Sequence, residues 1–237
     1  MQERTKRRIG YGILAVGIPG LIAAGLLLFE GRRYTLMSIL MVVVAMVPLF
    51  WVFERRKSGV RELVIIAVLT ALSVMGRIIF AVVPGFKPVA AMVIITAIYF
   101  GAEAGFICGA LSAVISNIFF GNGPWTPFQM FAWGILGLIA GLPVLRQTLR
   151  DSKAALIIYG ILAGIVYSLV MDVYSALSYS EDGLGRYLVM VATSAPYLVI
   201  YAISNAVFLA VLTGPVGRRL ERIQKKTGIE ERTQGSE

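Results

Sequence analysis

Long apolar stretches dominate this chain and restrict the folds open to it. A helix that crosses the hydrocarbon core of a membrane needs about 20 mostly apolar residues, and only 15% of the 237 residues are charged. The apolar stretches are 9–29, 35–53, 63–83, 88–103, 105–120, 128–145, 154–178 and 187–213. We therefore predict an all-α polytopic membrane protein, since lipid leaves backbone polar groups to be satisfied within each helix.

The residue types that the chain lacks exclude several kinds of chemistry. It has no His and a single Cys, Cys108. An intrachain disulfide, most metal sites and His-activated nucleophiles are therefore excluded. No Walker A pattern is present, so the chain does not hydrolyse ATP by that route. We expect no enzyme activity, no cofactor and no metal site.

The basic residues predict the orientation in the membrane. If the N-terminus is cytoplasmic, seventeen of the 22 Lys and Arg residues lie in cytoplasmic segments. The four basic residues of the outside loops are then Arg32, Arg33, Lys87 and Arg186. The positive-inside rule therefore predicts a plasma-membrane protein with both termini in the cytoplasm. It also accounts for the net charge of +9 without nucleic-acid binding.

A charged segment divides the chain into parts. The two spans before it are plain aliphatic helices, whereas those after it hold most of the polar residues. We predict a two-helix N-terminal membrane appendage at 1–54, a charged cytoplasmic linker at 55–62, a six-helix substrate-binding core at 63–215 and a charged cytoplasmic tail at 216–237.

One outer loop has the composition of a binding site. Residues 119–129 combine Gly and Pro, which shape a turn, with aromatic and amide side chains. Gln129 and Trp133 are four residues apart and share one face of the following helix. We predict a small-molecule site at this rim. The alternative is that Trp125 and Trp133 are membrane-interface anchors.

Arg77 and Asp172 are opposite charges placed deep in predicted spans. An unpaired charge in hydrocarbon costs at least ~2.5 kcal/mol. Either the two form a structural ion pair, or one or both contact a polar substrate. If they form an ion pair, reversing one charge is expected to abolish folding or uptake, and reversing both charges is expected to restore it in part.

Pairs of small residues four apart recur along the predicted helices, and such spacing lets helices approach closely. Each pair serves either packing within the chain or docking of a partner. The pairs are Ala67/Ala71, Gly105/Gly109, Gly137/Gly141, Gly160/Gly164 and Ala206/Ala210.

Several short motifs between residues 60 and 141 are shared with one membrane-protein family. They are Arg61-Glu62 before an apolar helix, Gly76-Arg77, Pro84-Gly-Phe-Lys-Pro88, and the stretches 100–110 and 116–129. With these motifs the sequence resembles the S components of energy-coupling factor (ECF) transporters over about residues 60–215. The two N-terminal helices depart from the six helices usual in that family.

The resemblance implies a binding subunit without chemistry of its own. Such a subunit captures a vitamin or related micronutrient from outside and docks on a transmembrane coupling protein that two ATPase subunits drive. Ala67 and Ala71 would face that coupling protein. The sequence looks closest to members that take cobalamin or another corrinoid. Without His, a corrinoid would be held by shape, stacking and hydrogen bonds.

Ten residues are the predicted substrate contacts, with Phe86 and Lys87 closing the site from above. They are Arg77, Phe86, Lys87, Asn117, Asn122, Trp125, Gln129, Trp133, Asp172 and Tyr197. Lys87 is equally explained as a snorkelling surface charge. The alternative functions are a stand-alone secondary carrier that uses Arg77 and Asp172 for ion coupling, and a membrane-embedded transferase. A requirement for ATP and for co-expressed coupling proteins would separate the importer from the carrier.

Overall fold

The computed structural model describes residues 59–178 and 183–227, and its elements are α-helices. Four of them are long and apolar enough to cross a membrane, or five if the bent pair Trp125–Ala140 and Pro143–Asp151 counts as one span. In chain order they are α1 Val60–Ile79, α2 Val89–Phe100, α3 Ala102–Phe120, α4 Trp125–Ala140, α5 Pro143–Asp151, α6 Lys153–Ser178 and α7 Gly183–Thr227. This confirms the predicted all-α polytopic fold. The two predicted N-terminal helices lie outside the described residues.

Two helix boundaries differ clearly from the predicted spans. The predicted span 128–145 ends at Ala140, and α5 leaves it at an angle of 78°. Pro143 opens α5 at a position where its missing N–H is not needed. The predicted span 187–213 is part of a 45-residue helix, which at 1.5 Å per residue is about 68 Å long.

The C-terminal part of α7 stays helical because it packs against the bundle. Leu220 is 4% exposed and Gln224 is 1% exposed. The Gln224 side-chain amide donates a hydrogen bond of 2.6 Å to the backbone carbonyl of Tyr99, at the end of α2. The polar sequence after 216 therefore forms a helix as far as Thr227.

The short helix α2 lies at the centre of the bundle, and all twelve of its residues are buried. It ends at Gly101, whose φ of +91° lies in the region that favours glycine, and α3 begins directly afterwards. Twelve residues extend over about 18 Å, less than the hydrocarbon thickness. Such a helix is acceptable in a membrane because protein surrounds its ends.

Glycines bring α3 and α4 into backbone contact. A Cβ at Gly105 would lie 2.7 Å from the carbonyl oxygen of Gly137, and a Cβ at Gly109 would lie 2.5 Å from that of Trp133. Both distances are too short for a side chain, so these small residues allow the two helices to approach. Their spacing serves packing within the chain.

Some of the remaining small residues pack within the bundle, and others are exposed on its surface. Gly164 of α6 lies against the backbone of α7, where an added Cβ would be 2.7 Å from the amide nitrogen of Ala202. Ala67 and Ala71 are instead exposed on α1. That α1 pair is therefore not used to pack the described bundle.

We predict that Gly109→Leu lowers the stability of the bundle by about 1–3 kcal/mol, the range for overpacked cores. The added side chain would have to displace the backbone of α4 at Trp133. The measurement is thermal unfolding of the purified protein in detergent. The matched control is Gly214→Leu, a helical position with no atom within 4 Å of an added Cβ. Equal melting temperatures for the two variants would contradict the prediction.

Candidate functional site

Polar side chains from distant parts of the chain gather at one end of the bundle. There α1, α3 and α6 end, and α2, α4 and α7 begin. Arg77 and Asn117 lie near the ends of α1 and α3, and Gln129 lies in the first turns of α4. Consecutive helices that run in opposite directions bring these positions together.

Arg77 is held by neutral partners. Its side chain is 7% exposed, and Nη1 donates hydrogen bonds to Ser116 Oγ and to Asn117 Oδ1, the latter at 2.8 Å. The guanidinium carbon lies 4.7 Å from the ring centre of Phe120 and 5.0 Å from that of Trp133. Cations are attracted to such ring faces. These contacts solvate the positive charge but do not neutralise it.

Asn117 connects this arginine to α4 and α6. Its Nδ2 donates to Thr126 Oγ1 at 2.9 Å and to Gln129 Oε1 at 2.8 Å. The Gln129 amide then donates to the Tyr167 hydroxyl at 3.4 Å. One chain of hydrogen bonds therefore fixes side chains from four helices.

A small cavity of about 60 Å³ lies beside this network. Small-molecule sites usually occupy about 300–1,000 Å³, so a larger ligand would fit only if neighbouring side chains moved. The rings of Trp133 and Tyr167 are stacked, with their centres 5.2 Å apart and their planes 8° from parallel. The lining residues are Arg77, Lys87, Val89, Ala90, Gln129, Trp133, Gly164, Tyr167, Tyr201 and Asn205. The walls therefore offer ring faces, amides and two cations.

Lys87 is positioned by the loop between α1 and α2. Its backbone N–H donates to Ser204 Oγ at 2.8 Å, and the Ser204 hydroxyl lies 3.1 Å from the Lys87 carbonyl oxygen. The ammonium nitrogen lies 5.3 Å from the centre of the Phe120 ring. Burial, and secondarily the charge of Arg77, lower the pKa of Lys87 from its ordinary value.

Four of the ten predicted contacts line this cavity: Arg77, Lys87, Gln129 and Trp133. Asn117 lies behind them and orients two of the four. The network and the cavity thus bring together half of the predicted residues.

The other five predicted contacts lie away from the cavity walls. Phe86 packs against Phe208, with ring centres 4.9 Å apart, and Trp125 meets Tyr174 edge-on at 6.4 Å. Asn122 is exposed, and Tyr197 is 49% exposed. The fifth residue, Asp172, bonds elsewhere.

The ion pair considered for Arg77 and Asp172 is not formed. A carboxylate oxygen of Asp172 accepts a hydrogen bond of 2.6 Å from the hydroxyl of Ser194 on α7, whereas Arg77 bonds to α3. Reversal of both charges therefore has no direct contact to restore.

Sequence reasoning missed the cavity residues of α6 and α7. Tyr167 and Tyr201 lie in the middle of apolar helices, and Asn205 donates to the Gly160 carbonyl oxygen at 3.0 Å. Tyr197 was the one tyrosine among the predicted contacts. A hydroxyl far from the ends of an apolar span was the signal available for Tyr167.

A comparison with known protein families identifies a related family. A family model described as "ECF-type riboflavin transporter, S component" matches residues 57–222, more than half of the chain. The chain belongs to this family. No curated protein matches it, and no solved structure matches it.

Membership confirms the resemblance seen in the sequence. An S component is the substrate-binding subunit of an ECF transporter, so this chain is a transporter component and not an enzyme. S components bind small vitamin substrates and work with a module of a membrane subunit and ATPases. Several apolar helices and the family together establish a multi-pass plasma-membrane protein.

We predict that Asn117→Leu destabilises the S component by about 1–3 kcal/mol or more, because buried hydrogen-bonding groups lose their partner. Arg77, Thr126 and Gln129 each bond to this amide. Thermal unfolding in detergent measures the effect. Asn122→Leu is the matched control, since Asn122 is exposed. An equally large effect of Asn122→Leu would show that the buried network is not the cause.

Proposed function

We propose that this S component captures a flavin-type vitamin, with riboflavin as the substrate, and passes it to an ECF module. The observation that carries the proposal is the cavity, in which the stacked Trp133 and Tyr167 rings lie beside the amide of Gln129. Ring faces suit a planar heteroaromatic ligand, and buried amides suit its carbonyl and imide groups. The family description names riboflavin.

The small size of the cavity favours a flavin over the corrinoid predicted from the sequence. A corrin macrocycle with its nucleotide loop is far larger than a three-ring flavin, and it would require a larger rearrangement of a cavity of about 60 Å³. The chain also has no His with which to ligate cobalt. Cobalamin therefore becomes the competing ligand in the binding experiment.

In this proposal the cavity opens to the outside. The basic residues of α5 and of the C-terminal part of α7 belong to the opposite end of the bundle, where Arg150 lies 3.7 Å from Glu221. The positive-inside rule assigns that basic end to the cytoplasm. A substrate from the medium then meets the cavity directly.

We further propose that the membrane subunit of the ECF module docks on α1. Ala67 and Ala71 are exposed there, and the neighbouring Val64 and Val68 are 57% and 53% exposed. In lipid, small residues at this spacing stabilise helix association because they let backbones approach. The described bundle leaves this face of α1 open.

We predict that Trp133→Leu weakens riboflavin binding about 10-fold or more, because stacking on a heteroaromatic ring is worth about 1–3 kcal/mol. Quenching of flavin fluorescence by the purified protein gives the Kd. Trp125→Leu is the control, since Trp125 packs on Tyr174 outside the cavity walls. Cyanocobalamin is not expected to displace riboflavin. Tight cobalamin binding with no riboflavin binding would overturn the flavin proposal.

We predict that Ala71→Leu reduces co-purification of the ECF module at least about 10-fold and leaves riboflavin affinity unchanged, because a bulky side chain separates closely packed helices. Ala210→Leu, which changes an exposed alanine of α7, is the matched control. Riboflavin uptake is expected to stop when the ATPases of the module are inactivated. Full uptake with inactive ATPases would instead support the stand-alone carrier.

A further inference from the structure

The C-terminal part of α7 presents two different faces. Gly217, Leu220 and Gln224 are buried against the bundle. At about 100° per residue, the exposed basic residues of this part fall within an arc of about 120° on the opposite side of the helix. We call this arc the basic stripe, and its members are Arg218, Arg219, Arg222, Lys225 and Lys226.

Two arginines of α5 at the same end of the bundle are engaged within the protein. Arg146 donates from Nε to the carbonyl oxygen of Ile98 at 2.9 Å and from Nη2 to that of Tyr99 at 2.8 Å. Arg150 lies 3.7 Å from Glu221, and its guanidinium lies over the Tyr99 ring. In the part of the chain that the structure describes, the cations of the basic stripe have no ion pair. Their charge is therefore directed outward.

The basic stripe continues a face of α7 that is apolar and exposed further along the helix. Val207 and Val211 are exposed, and Arg218 and Arg222 follow Val211 by seven and eleven residues. Positions with this spacing lie on one face of a helix, and α7 is continuous through all four. An exposed apolar face of a spanning helix contacts acyl chains. The basic stripe then lies where the same face leaves the hydrocarbon.

Helix lengths place the basic stripe at the level of the lipid headgroups. The apolar stretch 187–213 extends over about 40 Å, which is enough to cross about 30 Å of hydrocarbon with some tilt. Arg218 lies about 8 Å beyond the end of that stretch, close to the thickness of one headgroup layer. Helical side chains slope towards the N-terminus, which here is back towards the membrane. Long basic side chains can therefore reach the phosphates.

We propose that the basic stripe binds the phosphate groups of anionic phospholipids in the leaflet at this end of the bundle. A guanidinium holds two oxygens of one phosphate in a fixed geometry. Continuity with the lipid-facing surface of α7 favours lipid over a soluble acidic protein. The orientation proposed above assigns this end to the cytoplasmic leaflet, which carries anionic lipids. The proposal does not depend on which ligand the cavity binds.

The experiment compares two phospholipids by native mass spectrometry of the full chain in detergent. Phosphatidylglycerol has an anionic headgroup, whereas phosphatidylcholine is zwitterionic. We expect the Kd of phosphatidylglycerol to be at least about 10-fold lower, because each basic residue near an anionic headgroup adds attraction. Arg218→Gln combined with Arg222→Gln is expected to reduce this preference to about 3-fold or less. Glutamine is a good helix former, and thermal unfolding verifies that the variant is folded.

The matched control removes two exposed cations outside the basic stripe. Arg61→Gln combined with Lys153→Gln changes residues in the first turns of α1 and α6 and is expected to keep the full preference. An equal loss in this control overturns the proposal, because net charge and not the stripe would then set the preference.

Three other outcomes also contradict lipid binding by the basic stripe. One is equal affinity of the unaltered chain for the two lipids. Another is a preference for phosphatidylglycerol that persists in the folded variant with both arginines replaced. The third is displacement of phosphatidylglycerol by an equal concentration of a hexaglutamate peptide, which would identify an acidic protein as the better partner.

Discussion

The chain of hydrogen bonds that begins at Arg77 organises the polar end of an otherwise apolar bundle. A guanidinium among membrane helices needs partners, because an isolated charge is costly there. Asn117 accepts from Arg77 and donates to Gln129, which reaches Tyr167. Because every link joins a different pair of helices, the position of each side chain depends on the packing of the others.

Close packing below this end is what holds the network in place. Glycine contacts set the distance between α3 and α4, and the fully buried α2 fills the centre of the bundle. In a membrane, such packing replaces the hydrophobic drive that water would supply. The aromatic and polar groups beside the cavity are therefore oriented by contacts within the protein.

Part of the site was predicted from the sequence, because its residues are unusual in apolar spans. The unusual residues are Arg77 in a helix, Lys87 between prolines, and Gln129 four residues before Trp133. Asp172 stood out equally but bonds to Ser194 on the next helix. A charged residue in a span indicates that it has a partner. The identity of that partner depends on how the helices are rotated, and one sequence does not give that rotation. Tyr167 and Tyr201 were missed because tyrosine is common near membrane ends and is not unusual in the way that a charged residue is.

The sequence by itself determined the class of the molecule: apolar stretches of spanning length, no His and shared motifs lead to a helical membrane protein of the S-component family. Within the described residues it also determined most helix positions, because hydropathy and glycine breaks act locally. Tertiary structure decided that the polar end of α7 packs against the bundle, through the contact of Gln224 with Tyr99. It also decided which polar residues share one cavity. Both results depend on contacts between residues far apart in the chain, and local composition does not encode such distances.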